Sequence, residues 1–176
     1  MFEVLKLEDI LAVQYVDRWH MVETKRKQNI AEHSYMVTLI AGKLGPYLKD
    51  PLTTQERVDL YEGCLLHDTP ELKWGDMPTP TKKFFISQGL GWVLELMEIK
   101  FWAERGGHRA PLSLATPKVK NLVRLADLVE AYIFYRKEGV DTSIQHRLYS
   151  DAWEHFNECF GDEDDMSGIL AAFMAR

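Results

Sequence analysis

Apolar residues recur at helical spacing along nearly the whole chain, and that periodicity limits the fold more than any other feature. In "NIAEHSYMVTLIAGKL", Ile30, His33, Val37, Ile40 and Leu44 follow one another at steps of three, four, three and four. Such steps keep every member on one face of an α-helix. There is no sustained alternation of period two, the mark of a half-buried strand, and no strong hairpin signal. Asn29 is a candidate N-cap, with Glu32 where its carboxylate can reach back to it. Thr53 and Glu56 form a capping-box pair ahead of an apolar segment, which closes near Pro70 because proline disfavours helical backbone at the preceding residue. Residues 4–16 form a short amphipathic segment. Residues 89–105 carry Trp92, Leu96, Ile99 and Ala103 on one face and stop at Gly106–Gly107. Thr116–Pro117 reads as the N-cap and first position of a helix running to Gly139. A last helix spans about 143–160, with Ile144, Leu148, Ala152, Phe156 and Phe160 in a row, and "DEDD" at 162–165 reads as a solvated turn. The expectation is an all-α helical bundle of about six or seven helices, with residues 1–176 as a single domain. Irregular stretches are expected at 17–28, 68–88 and 106–115, and loops on a rigid frame are where function concentrates.

Composition narrows the functional classes. With 176 residues, 46% of them hydrophobic, the chain can bury a core and is not a disordered segment. Its two cysteines, Cys64 and Cys159, form no C-x-x-C, which points to a reducing, cytoplasmic compartment and away from a disulfide or Cys-zinc framework. The opening "MFEVLKLEDI" lacks the basic and apolar regions of a signal peptide, and no apolar run nears the ~20 residues of a membrane span. A net charge of −6 gives no support for broad nucleic-acid binding. "KRK" at 25–27 and "KK" at 82–83 read as solvated faces or local phosphate contacts.

Against this apolar background, three helices each carry polar groups where apolar ones belong. His33 lies on the stripe of its helix, His67–Asp68 closes a second, and Asp127 stands inside "LVRLADLVEAY". A lone histidine on such a stripe can be a hydrogen-bonded core residue, but a carboxylate inside an apolar helix is costly unless paired. If the three helices meet, two imidazoles and two carboxylates converge into a divalent-metal site, which offsets the burial of both acids at once.

The order of a lone His, a His-Asp pair and a distant helical Asp resembles the HD-domain metal-dependent phosphohydrolases. "DRWHMV…NIAEHS", "HDTPELKWGDMPTPTK" and "VRLADLVEAY" resemble the Arg-Trp, Glu-His-Ser, His-Asp and Ala-Asp elements of their 5′-deoxynucleotidase branch, over about residues 10–137. The resemblance implies that His33, His67, Asp68 and Asp127 are metal ligands. An N₂O₂ donor set suits Co²⁺, Zn²⁺, Mn²⁺, Ni²⁺ or Fe²⁺ without choosing among them. It implies that Arg18 grips phosphate with its fork, and that Glu71 handles a proton or orients water with Asp76 as partner or alternative acid. Solvation of a helix end and a turn is the plainer reading of Glu71 and Asp76. Lys82 and Arg124 look like further phosphate contacts, although Arg124, three residues before Asp127, can simply pair with it. Thr79, between two prolines, is placed to offer its hydroxyl to substrate. Trp19 is the candidate to stack on a base, with Met21 lining the same pocket; a core or interface role is its alternative. Either residue could block purine C2 and exclude guanine or 2-aminoadenine.

Two substrates fit the branch. One reading is a 5′-nucleotidase that converts deoxynucleoside monophosphates to nucleoside and phosphate. The other resembles the compact phage enzymes that convert dATP to deoxyadenosine and (tri)phosphate, depleting dATP where 2-aminoadenine replaces adenine in viral DNA. The chain is short for a cellular 5′-deoxynucleotidase, which tilts the expectation to dATP and, for a phage protein, to the host cytoplasm. The resemblance also implies a homo-oligomer, a dimer or hexamer, with neither nucleic acid nor membrane as partner. A nucleotide sensor with a vestigial core is the non-enzymatic alternative, and it should have lost a ligand that this sequence retains.

Overall fold

The computed structural model describes residues 4–107 and 110–160, and among these it contains seven α-helices. They are α1 (Leu7–Ala12), α2 (Ile30–Leu44), α3 (Thr54–Leu66), α4 (Thr79–Ser87), α5 (Gly91–Glu104), α6 (Pro117–Glu138) and α7 (Thr142–Phe160). The long α6 is the axis of the molecule, and α2, α3 and α7 all pack on it. Its length reflects a run of good helix formers between a Thr116 cap, whose hydroxyl accepts from the Val119 N–H, and Gly139. The helical stripe of α2 is buried throughout: Ile30, His33, Val37, Ile40 and Leu44 are each at most 5% exposed. From α7, Ala152, Phe156 and Phe160 close the other side of α6. The 162–165 turn lies outside the described residues.

Several sequence expectations need correction. The 17–28 stretch is not wholly irregular: β1 (Asp17–Arg18) pairs antiparallel with β2 (Gln28–Asn29) in a two-residue ladder, too short to leave a periodic signal. Glu32 does not reach back to Asn29; both its oxygens bind the Arg26 guanidinium, at 2.5 and 2.8 Å, while Asn29 alone caps α2. The 68–88 stretch contains α4, whose start is set by Pro80 in its first turn. On α5, the face carrying Trp92 and Ile99 looks outward: Trp92 is 60% and Ile99 52% exposed. The residues that α5 buries are Phe101 and Trp102, which join Leu66 in a second, smaller cluster.

Candidate metal centre and phosphate site

His67 caps the C-terminal end of α3, and Asp68 follows it at the start of a tight turn, Thr69–Leu72, made by Pro70. The apolar stripe of α2 carries His33 inward to the same point, and α6 brings Asp127. His33 Nε2 stands 3.3 Å from His67 Nε2, 3.5 Å from Asp68 Oδ2 and 3.3 Å from Asp127 Oδ1. His67 Nε2 is 3.4 Å from Asp68 Oδ2. The three helices therefore do meet, and the four residues picked from sequence lie around one point.

The remaining ring nitrogens decide what that point can hold. His33 Nδ1 lies 2.6 Å from Glu130 Oε2, and His67 Nδ1 lies 2.9 Å from the Cys64 carbonyl. Both neighbours are acceptors, so each ring keeps a proton on Nδ1 and turns Nε2 to the centre. Two facing imidazole nitrogens and the Asp68 carboxylate offer atoms all within 4.8 Å of one another, with Asp127 Oδ1 against His33, and this donor set suits a divalent metal ion. The electrostatics agree. Burial opposes ionisation of Asp68, yet His67, Arg18 and His33 draw its carboxyl down to about 2, and Asp127 also lies well below the usual range. Burial and Arg18 oppose charge on His33, yet its bonds to Asp127 and Glu130 carry it up to about 9, so Nε2 holds a proton that a bound cation would displace. The pocket draws in positive charge.

Glu130, which the sequence reading missed, is the outer support of this centre. It is 4% exposed; one oxygen takes His33 and the other accepts from Gln28 Nε2 at 2.7 Å. Gln28 in turn accepts from the Trp19 indole N–H at 2.9 Å. The available signal was spacing: Glu130 follows Asp127 by three residues and is a second acid on the same apolar helix face.

Around the centre the other candidates divide. Arg18 is largely buried, its Nη1 is 3.8 Å from Asp68 Oδ2, and that nitrogen has no hydrogen-bond partner among the described residues. Glu71 is buried; Oε1 accepts from Lys82 Nζ at 3.1 Å and from the Met77 N–H, while Oε2 has no partner among the described residues. Burial and the Asp68 charge push its carboxyl up to about 8, with Asp76 adding and Lys82 opposing. Asp76 sits 3.4 Å from His20 Nδ1. Arg124 donates to Asp127 Oδ2 at 2.9 Å, the pairing that its spacing allowed. Trp19 has a left-handed backbone, φ 64°, and its ring stacks on Phe134 and leans on Tyr135 of α6. That conformation costs on the order of 1–3 kcal/mol. Met21 and Thr79 are exposed, and neither lines the two cavities beside the centre. Those cavities share His67, Asp68, Lys82 and Glu98. No helix among the described residues is long and apolar enough to cross a membrane.

Comparison with known proteins places this geometry. Residues 7–99 match the family model described as 5′-deoxynucleotidase YfbR-like. A dATP triphosphohydrolase of Acinetobacter phage SH-Ab 15497 is 30% identical over 166 residues, covering 88% of this chain and 81% of that protein. The dATP triphosphohydrolase of Salmonella phage PMBT28 is 30% identical over 146 residues, covering 80% and 71%. Among solved structures, the Cyanophage S-2L HD phosphohydrolase DatZ, bound to dA and one catalytic Zn²⁺, superposes with a TM-score of 0.76 at 24% identity, covering 97% of this chain and 93% of that one.

Proposed function

Since the chain belongs to the YfbR-like family of HD phosphohydrolases, we propose that it hydrolyses dATP to deoxyadenosine and triphosphate. The reading rests on one observation above all: a guanidinium nitrogen of Arg18 with no hydrogen-bond partner among the described residues, beside two converging imidazole nitrogens and two carboxylates. That is a cation site with an anion grip at its edge. The names of the phage relatives support dATP as the substrate.

His33, His67, Asp68 and Asp127 would hold the divalent cation; their N₂O₂ set admits Zn²⁺, Co²⁺, Mn²⁺, Ni²⁺ or Fe²⁺. A cation held there would supply Lewis-acid chemistry toward the phosphate and toward the attacking water. The chain's own residues do the rest. The Arg18 fork takes phosphate oxygens, and Lys82 and Arg124 face the same anion. Glu71, at about 8, holds a proton near neutral pH and is the donor to the departing 5′ oxygen, with Asp76 as partner or alternative acid. A water oxygen bonds to the α-phosphorus, the P–O5′ bond breaks, and the water's proton restores Glu71. Trp19 and Met21 would limit the base, and Thr79 would offer a hydroxyl. The chain acts as one domain over residues 1–176, in the cytoplasm of a host cell, as a dimer or hexamer joined through exposed apolar faces such as Trp92 and Ile99 on α5.

The family description favours a second reading, a 5′-nucleotidase acting on deoxynucleoside monophosphates. One experiment separates the two: incubation with dNTPs, dNMPs and NTPs under each divalent ion, with products resolved as nucleoside, triphosphate, pyrophosphate or phosphate. Deoxyadenosine with triphosphate from dATP supports the first; release from dAMP alone supports the second. Equal turnover of dATP and dGTP would remove the role given to Trp19 and Met21, and no hydrolysis of any nucleotide would end both readings.

A further inference from the structure

The larger of the two cavities, about 240 Å³, runs from the metal cluster along α6. Lys120, Arg124 and Asp127 all line it, at spacings of four and three residues, so they form one row on one face of that helix. At 1.5 Å per residue, Lys120 lies about 10 Å along the axis from Asp127 and Arg124 about 4.5 Å. Lys82 enters from α4, and Trp102, whose buried indole N–H has no partner, belongs to the wall contributed by α5. The ladder of positive charge thus starts at the cluster and continues away from it. A single phosphate held beside Asp127 ends before Lys120, whereas a chain of linked phosphates goes on to meet it.

We propose that this cavity is the subsite for the distal phosphates of a nucleoside triphosphate, with Lys120 as the residue that distinguishes a polyphosphate chain from a monophosphate. The inference rests on the reading that the metal cluster acts on a nucleotide phosphate. Lys120 is exposed and, among the described residues, its Nζ meets only the Ser113 carbonyl, at 3.4 Å, so the ammonium is free to turn to an anion. Glu98 lines the cavity from α5 and opposes the ladder, so its charge should weaken the same ligand.

The test is calorimetric binding of inorganic tripolyphosphate and of orthophosphate to the metal-loaded protein, with the divalent cation in excess. Chelation of the cation is common to all proteins compared and cancels in their ratios. Lys120→Met should weaken tripolyphosphate about tenfold and leave orthophosphate unchanged, the size of one charge-assisted contact. Glu98→Gln should tighten tripolyphosphate. Both positions are exposed, and unchanged melting curves establish folding. Equal weakening of both anions by Lys120→Met, no weakening, or failure of Glu98→Gln to tighten the chain would overturn the subsite. Because no nucleotide is used, a subsite that binds tripolyphosphate in a protein inactive on dATP would sink the proposed substrate alone. Hydrolysis of dATP with no dependence of tripolyphosphate binding on Lys120 would sink the subsite alone.

Discussion

At the scale of single residues, the centre separates groups that hold the cation from groups that support or exploit it. Activation of water by a divalent metal, from a pKa of ~15.7 to ~7–9, corresponds to on the order of 9–12 kcal/mol. A positioned proton donor is worth roughly 10²–10⁴-fold, about 3–5 kcal/mol. Asp68→Ala is therefore expected to reduce turnover more than Glu71→Ala, and to lose metal where Glu71→Ala retains it. Comparable rates in the two variants, both fully metallated and folded by circular dichroism, would count against metal chemistry. Glu130 makes a subtler case. Its two oxygens serve Gln28 and His33 at once, and an amide offers only one acceptor. Glu130→Gln should weaken metal affinity about 10–100-fold while the helix stays intact, measured by competition with a chelator; unchanged affinity would reduce Glu130 to a buried structural acid.

Among the elements, the junction between α3 and α6 is the one whose pH behaviour can be worked out. Glu56 closes the capping box of α3 through the Thr53 N–H, and it also accepts from Thr116 Oγ1 and contacts Lys118 Nζ, each at 3.1 Å. One carboxylate thus ties two helix N-termini together. The Thr53 N–H, followed by Lys118, draws its carboxyl from 4.5 to about 2. A lowered folded value means the stabilisation is complete above about 4.5 and is lost as pH falls toward about 2. Glu56→Gln should lower the melting temperature at pH 7, and the deficit should close across that window. A deficit that persists unchanged at pH 2 would refute the ionic part of the junction. The strap before α2 is held in a different way. Lys25 and Arg26 bind the Lys137 and Glu138 end of α6, and Arg26 lies 4.9 Å over the Phe134 ring. The strap carries Arg18, so the far end of α6 positions a residue of the site.

For the molecule as a whole, a bound metal would couple to stability, because its proposed ligands come from three separate helices and converge only in the folded chain. At a free-ion concentration 100 times the dissociation constant, binding adds about 2.7 kcal/mol, which for a domain of this size raises the melting temperature by about 5–11 °C. Calorimetric scans with and without a chelator measure this, and an unchanged melting point with metal demonstrably bound would mean that the ligands also gather in the unfolded chain. The sequence by itself determined the helices with clear stripes and caps: α2 from its three-four spacing and Asn29, α6 from Thr116, Pro117 and Gly139, α7 from its apolar row. It also determined the four inner polar groups, because a charged side chain on an apolar face stands out against its neighbours whatever the fold. Only the tertiary structure decided which face of α5 is buried, since Trp92, Ile99, Phe101 and Trp102 are all apolar and periodicity cannot rank them. It alone decided that Glu32 turns to Arg26 and that Glu130, through Gln28, links Trp19 to His33. Those partners lie 6 to 102 residues apart, and a contact across such distances exists only once packing on α6 has closed the chain around the cluster.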